Sequence, residues 1–153
     1  MSELNTFNDV LKVAIEKEED AVDFYTKATG IIKNPGTSEM LKDFAVEEQS
    51  HVTLLKDAQK SKTMESVGNK TLPQSMDLTK YLVSGIITED STPQDVMIIA
   101  MKREDSAVSF YSEQMTTFQG TDIEGLFQRL CNMEKEHKER LEAEYEKVFM
   151  PDN

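Results

Sequence analysis

The chain has 153 residues, a formal net charge of −12 and a pI near 4.6, with 30% of its residues charged. An acid surplus of this size argues against a nucleic-acid partner or an anionic membrane surface, both of which select basic faces. The single cysteine, Cys131, excludes an intramolecular disulfide and any Cys-x-x-Cys metal knuckle. No apolar run is long enough for a bilayer and no basic-then-apolar leader opens the sequence, so the expectation is one cytoplasmic domain over residues 1–153.

Four segments carry apolar residues at helical spacing. In the first, Leu4, Phe7, Leu11, Ala14, Glu18, Ala21, Tyr25, Ala28 and Ile32 form a seam of alternating three- and four-residue steps. Thr6 with Asp9 has the pattern of a capping box at its start, and Asn34-Pro35-Gly36 breaks it. The second seam runs Leu41, Phe44, Glu48, His51, Leu55 and Ala58, closing a helix hairpin over residues 6–64. The pattern then fails until Thr92. Within this connector, 65–92, Gly68, Asn69, Pro73 and Ser75 read as loop, and Asp77 to Val83 as one short helix. Thr92-Pro93 opens a third seam of Met97, Ala100, Glu104, Ala107, Tyr111 and Phe118. After a turn at Gln119-Gly120-Thr121-Asp122 comes a fourth, of Phe127, Leu130, Glu134, His137, Leu141 and Val148, completing a hairpin over residues 93–149. Antiparallel neighbours need only about two to eight connecting residues. A connector this long predicts a crossover along the bundle, giving an all-α, up-down four-helix bundle of two antiparallel hairpins.

Both histidines sit in the same phrase, Glu48-Gln49-Ser50-His51 and Glu134-Lys135-Glu136-His137, 86 positions apart. Thirty residues before each of these glutamates stands another, Glu18 and Glu104, and the phrases Glu18 to Tyr25 and Glu104 to Tyr111 agree at Glu, Ala, Val, Phe and Tyr. On a helix, residues three apart share a face, so each Glu-x-x-His aims two ligand groups at one point. The midpoints of the two glutamate pairs, 33 and 119, fall at or beside the two turns. Residues equidistant from a turn stand level in an antiparallel pair, so each pair of glutamates meets across its hairpin. A Glu from each of two helices, with Glu-x-x-His from each of the other two, is the ligand set of di-iron and di-manganese carboxylate bundles.

Charge makes the same argument. Four ionised carboxylates on apolar seams cannot persist alone, because burying an unpaired charge costs several kcal/mol or forces protonation. Two divalent ions balance them. The expected metal ligands are Glu18, Glu48 and His51 from the first half and Glu104, Glu134 and His137 from the second, with Glu48 and Glu134 bridging. Mixed oxygen and imidazole ligation suits two iron ions, with manganese or zinc as substitutes. Tyr25 and Tyr111 each lie seven residues, about two turns, beyond a ligand on its own seam. They read either as core aromatics or as catalytic auxiliaries that hydrogen-bond a ligand carboxylate or supply an electron. The remaining acids, Glu19, Glu47 and Glu136 among them, read as solvated faces, the nine methionines as core filler and Cys131 as a small buried hydrophobe.

Glu-x-x-Ala-x-x-x-Tyr followed by Glu-x-x-His, given twice, resembles the rubrerythrin-like branch of the ferritin-like superfamily over nearly the whole chain. The resemblance implies a ferritin-like bundle with a non-haem di-iron site that reacts with hydrogen peroxide or dioxygen, its ligands falling on the six residues above. This sequence departs from the family in two respects. Full-length rubrerythrins add a rubredoxin-type Cys₄ iron domain, so here electrons are expected from an external donor such as a rubredoxin-type protein. The family also carries a further carboxylate, tied to redox-linked movement of one iron, where this chain has Ala107 and Val108. A simpler, symmetric centre is therefore expected. The leading function is a di-iron oxidoreductase reducing peroxide or dioxygen; the alternative is an iron-binding ferroxidase for sequestration. The sequence ends five residues after Val148, without room for the fifth helix of large ferritin shells, and the expected assembly is a homodimer.

Overall fold

The computed structural model describes residues 4–76, 81 and 86–151. In chain order the elements are β1 (Leu4–Thr6), α1 (Phe7–Ile31), α2 (Pro35–Gln59), α3 (Lys62–Val67), β2 (Thr71–Met76), α4 (Pro93–Thr117) and α5 (Glu124–Phe149). The helix starts follow from local chemistry. Thr6 and Asp9 form a reciprocal capping box, with Asp9 N–H donating to Thr6 Oγ1 (3.2 Å) and Thr6 N–H to Asp9 Oδ2 (3.1 Å). Asn34 and Thr92 cap α2 and α4 by accepting from Thr37 N–H and Asp95 N–H, each at 3.1 Å and each followed by proline at the first helical position. Gly120 takes φ +85°, the left-handed conformation that ends the α4 side of the second turn at little steric cost.

The hairpins α1–α2 and α4–α5 hold most of the interhelical contact. Their mutual arrangement follows from the side chains that join them. Along α1, Phe7, Glu18 and Tyr25 meet Phe118, Tyr111 and Glu104 in that order, so numbers rise on one helix as they fall on the other. Thr37 with Glu144 and Phe44 with His137 give the same sense for α2 and α5. Since α1 and α4 are antiparallel, α2 and α4 run parallel. The chain must return the length of the bundle between them: the connector is a crossover, and the fold is the four-helix ferritin-like bundle expected from the sequence.

The start of the crossover differs from expectation. Pro73 and Ser75, read as loop, lie in β2, which pairs antiparallel with β1 (Leu4 opposite Met76, Thr6 opposite Thr71). Asn8 N–H donates to Gly68 O at 2.8 Å just beyond the ribbon. A two-stranded ribbon has only edges, so a proline without an N–H is tolerated there, and the turn-forming residues around it hide the strand. The short helix α3, capped by Ser61, also falls in the interval where helical periodicity fails. The helix expected over Asp77 to Val83 lies, apart from Tyr81, outside the described residues. Tyr81 packs edge-on against Phe110 (ring centroids 5.3 Å apart), its hydroxyl donates to Glu113, and its carbonyl accepts from Ser106 Oγ at 2.8 Å. The crossover thus passes the middle of α4.

The bundle interior is apolar at both ends and polar between. One cluster gathers Val10, Leu11, Ala14, Leu55, Phe118, Phe127 and Leu130; the other gathers Phe24, Ala28, Leu41, Phe44, Val96, Met97 and Leu141. All six predicted ligands lie between these halves. No helix among the described residues is long and apolar enough to cross a membrane.

Candidate metal centre

Each helix delivers its ligand group because the group replaces an apolar residue on a core seam. Glu18, Glu48, His51, Glu104, Glu134 and His137 are all 2% exposed or less. His51 Nδ1 lies 3.4 Å from Glu18, 3.6 Å from Glu48 and 3.3 Å from Glu134. His137 Nδ1 lies 2.8 Å from Glu48, 3.5 Å from Glu104 and 3.7 Å from Glu134. The ligand atoms form two groups, Glu18–Glu48–His51–Glu134 and Glu48–Glu104–Glu134–His137, each spanning no more than 4.8 Å. Glu48 and Glu134 belong to both.

Many of these atoms have nothing to bond. Glu18 Oε2, both oxygens of Glu48, Glu104 Oε2, Glu134 Oε1, both ring nitrogens of His51 and His137 Nδ1 are buried without a hydrogen-bond partner. Orphaned buried polar atoms are costly one at a time. All but His51 Nε2 converge on one space, and seven such atoms, oxygen and imidazole together, fit a pair of cations with two carboxylates shared between them.

Without metal, protons partly take their place. Burial pushes the Glu48 carboxyl well above its ordinary 4.5, and the charge of Glu18 adds to the shift. Glu134 is raised by burial and then by Glu104. At Glu18 burial acts upward too, but bonds to Glu48 and His51 outweigh it and hold the group low. Burial works against a charged His51, yet Glu134, Glu18 and Glu48 lift it from 6.5 to about 12; His137 rises likewise, chiefly through Glu104. The interior thus exchanges charge for protons, as a metal-competent site should.

Tyrosines tie the hairpins together. Tyr25 donates to Glu104 Oε1 and Tyr111 to Glu18 Oε1, each from one hairpin to the other. Burial, reinforced by the nearby carboxylates, raises both phenols well above 10, so each remains a donor. Tyr25→Phe removes a donor and no ligand: the expected result is a loss of about 1–2 kcal/mol in denaturant unfolding with metal content unchanged. Metal loss as complete as in Glu104→Ala would contradict this.

Glu47 corrects the sequence reading. It was assigned to a solvated face, but its Oε2 lies 2.5 Å from His137 Nε2, with Arg140 at 3.9 Å. Glu47 directly precedes Glu48, so its side chain is 41% exposed and reaches inward only at the tip. Its position beside a ligand glutamate was the available signal. Cys131 is buried, its Sγ 3.6 Å from Val108 O.

A model of the rubrerythrin family matches residues 9–145. The chain belongs to the rubrerythrin family. Among solved structures, it is similar to a hypothetical protein from Pyrococcus furiosus, at 28% identity over 92% of this chain and 89% of that one, TM-score 0.68. It is also similar to a candidate ferritin-like diiron-carboxylate protein from Thermotoga maritima, at 21% identity over 94% and 95%, TM-score 0.74. No curated protein matches. Within this rubrerythrin-family bundle, Ala107 lies beside the cluster on α4. With Ala21, its counterpart in the first half, it lines a cavity of about 180 Å³ between α1 and α4 that reaches Glu18, Glu48, Glu104 and Glu134.

Proposed function

We propose that this protein is a di-iron oxidoreductase that reduces hydrogen peroxide or dioxygen, with Glu18, Glu48, His51, Glu104, Glu134 and His137 as its metal ligands. The observation that carries this reading is the duplicated cluster of carboxylates and imidazoles, reached by a small cavity between α1 and α4. Two ferrous ions held there would supply one electron each, matching a two-electron oxidant. Glu48 and Glu134, common to both groups of candidate ligands, would serve both ions.

The cavity suits a small oxidant. Lys17 and Arg103 line it, and they are the residues immediately before Glu18 and Glu104, 86 apart like the ligands. Lys17 Nζ sits over the rings of Phe110 and Tyr81, at 5.5 and 5.8 Å, and the Arg103 guanidinium over Phe24 at 4.8 Å. Asp20 lines the same cavity, so both signs of charge face it, and a small neutral or anionic oxidant meets the two cations on its way to the carboxylates. Ala21 and Ala107 leave the space that the oxidant needs. These 153 residues hold one cysteine and therefore no Cys₄ centre; the donor in this reading is a rubredoxin-type protein or domain outside them.

The test is anaerobic titration of reduced, iron-loaded protein with hydrogen peroxide. About one peroxide should disappear per iron pair, and sustained turnover should require an added donor. Uptake and oxidation of many Fe²⁺ per chain, without peroxide turnover, would transfer the reading to iron sequestration.

A further inference from the structure

The ligands repeat symmetrically, but their surroundings do not. Each histidine turns Nδ1 toward the cluster and Nε2 away from it. His137 Nε2 meets Glu47 Oε2 at 2.5 Å, whereas His51 Nε2 is buried with no hydrogen-bond partner. The cause lies one residue before each Glu-x-x-His. Position 47 on α2 is Glu; its counterpart 86 residues later, on α5, is Met133. A thioether is at best a weak acceptor, so the second half offers His51 no partner equivalent to the one Glu47 gives His137.

A carboxylate accepting from one ring nitrogen fixes the tautomer, leaves the lone pair of the other pointing at the metal, and makes that nitrogen a stronger ligand. We propose that the two metal positions are unequal: the ion held by His137 binds first and more tightly, and Glu47 is the positioning residue that makes it so. The preference is written in positions 47 and 133, not in the ligands. Arg140, 3.9 Å from the same Glu47 oxygen, lies on α5 one turn beyond His137, so the carboxylate is flanked by both side chains. This rests on the reading of the cluster as a two-metal site.

The experiment is a Co²⁺ titration of metal-free protein, followed by the visible absorption of the bound ion. Wild-type protein should bind two ions in two steps separated by about 10–100-fold in affinity, the usual effect of such a partner on a histidine ligand. Glu47→Gln should weaken the first step by about tenfold and merge the two. Met133→Glu should strengthen the second step, a gain that a merely structural role for Glu47 does not predict. Circular dichroism of the metal-free variants checks that the helices persist. Two equal steps in the wild type, left unchanged by Glu47→Gln, would overturn the inference. Absence of any Co²⁺ uptake would instead overturn the two-metal reading itself.

Discussion

Removing the metals lowers the thermal midpoint of this protein, and lowers it further at pH 8 than at pH 6. Ligands that bind only the folded chain stabilise it by about 4 kcal/mol each at a thousandfold excess over Kd. For a chain of this size two ions correspond to a midpoint change on the order of 20 °C. The pH dependence comes from the groups that titrate in place of the metals. Glu48 and Glu134 have folded values raised well above the ordinary 4.5. Their contribution to metal-free stability is complete below that value and is lost as pH rises toward the folded one. His51 is raised from 6.5 to about 12 and His137 is raised as well, so their contribution also falls as pH climbs above 6.5. All four act in the same direction between pH 6 and 8: the metal-free protein weakens. The loaded protein moves the opposite way, because metals compete with fewer protons as pH rises. Scanning calorimetry with and without chelator at both pH values measures the gap, and titrations in buffers of different ionisation enthalpy measure the protons released. A gap that narrows toward pH 8 would refute the proton-for-metal exchange; no gap at either pH would mean that the cluster binds nothing of consequence.

Most of the bundle was legible in the sequence because its seams are long and its helix starts are chemically explicit: Thr6 with Asp9, Asn34-Pro35, Thr92-Pro93. The cluster was legible because a carboxylate on an apolar seam is expensive, and six ligand groups at matched offsets leave little room for coincidence. What escaped has physical reasons. The ribbon of β1 and β2 is short, carries Pro73 and is held by pairing remote in sequence, so it leaves no periodicity. Glu47 looked solvated because helical position predicts where a Cβ points, not where a flexible three-carbon stem ends. Lys17 and Arg103 carry no sequence signal beyond their matched places before Glu18 and Glu104; their packing over Phe24, Phe110 and Tyr81 is visible only in the fold.

Glu48→Gln combined with Glu134→Gln should make the metal-free protein more stable while abolishing tight metal binding. Glutamine has the shape of the protonated acid and carries no charge, and these two residues are the ones whose protonation burial most clearly favours. At pH 8 the wild-type groups must be held protonated against the solvent or ionised inside the bundle, and either state costs folding free energy. The double variant avoids both, for a gain of about 1–4 kcal/mol, the range seen when buried charge gives way to neutral groups of similar volume. At pH 6 the gain should be smaller, because less is needed to keep the wild-type acids protonated. The imidazoles retain carboxyl neighbours, since Glu18 lies 3.4 Å from His51 and Glu104 3.5 Å from His137. Metal affinity should fall by at least about 100-fold, as both groups shared between the two sites lose a carboxylate, and the midpoint should no longer respond to chelator. Denaturant unfolding of metal-free wild type and variant at the two pH values decides it. A variant less stable at pH 8 would mean that Glu48 and Glu134 act there as anions paired with His51 and His137. A more stable one would mean that the fold carries these carboxylates at a cost in stability that only metal binding relieves, the pattern expected where a buried site is retained for its chemistry.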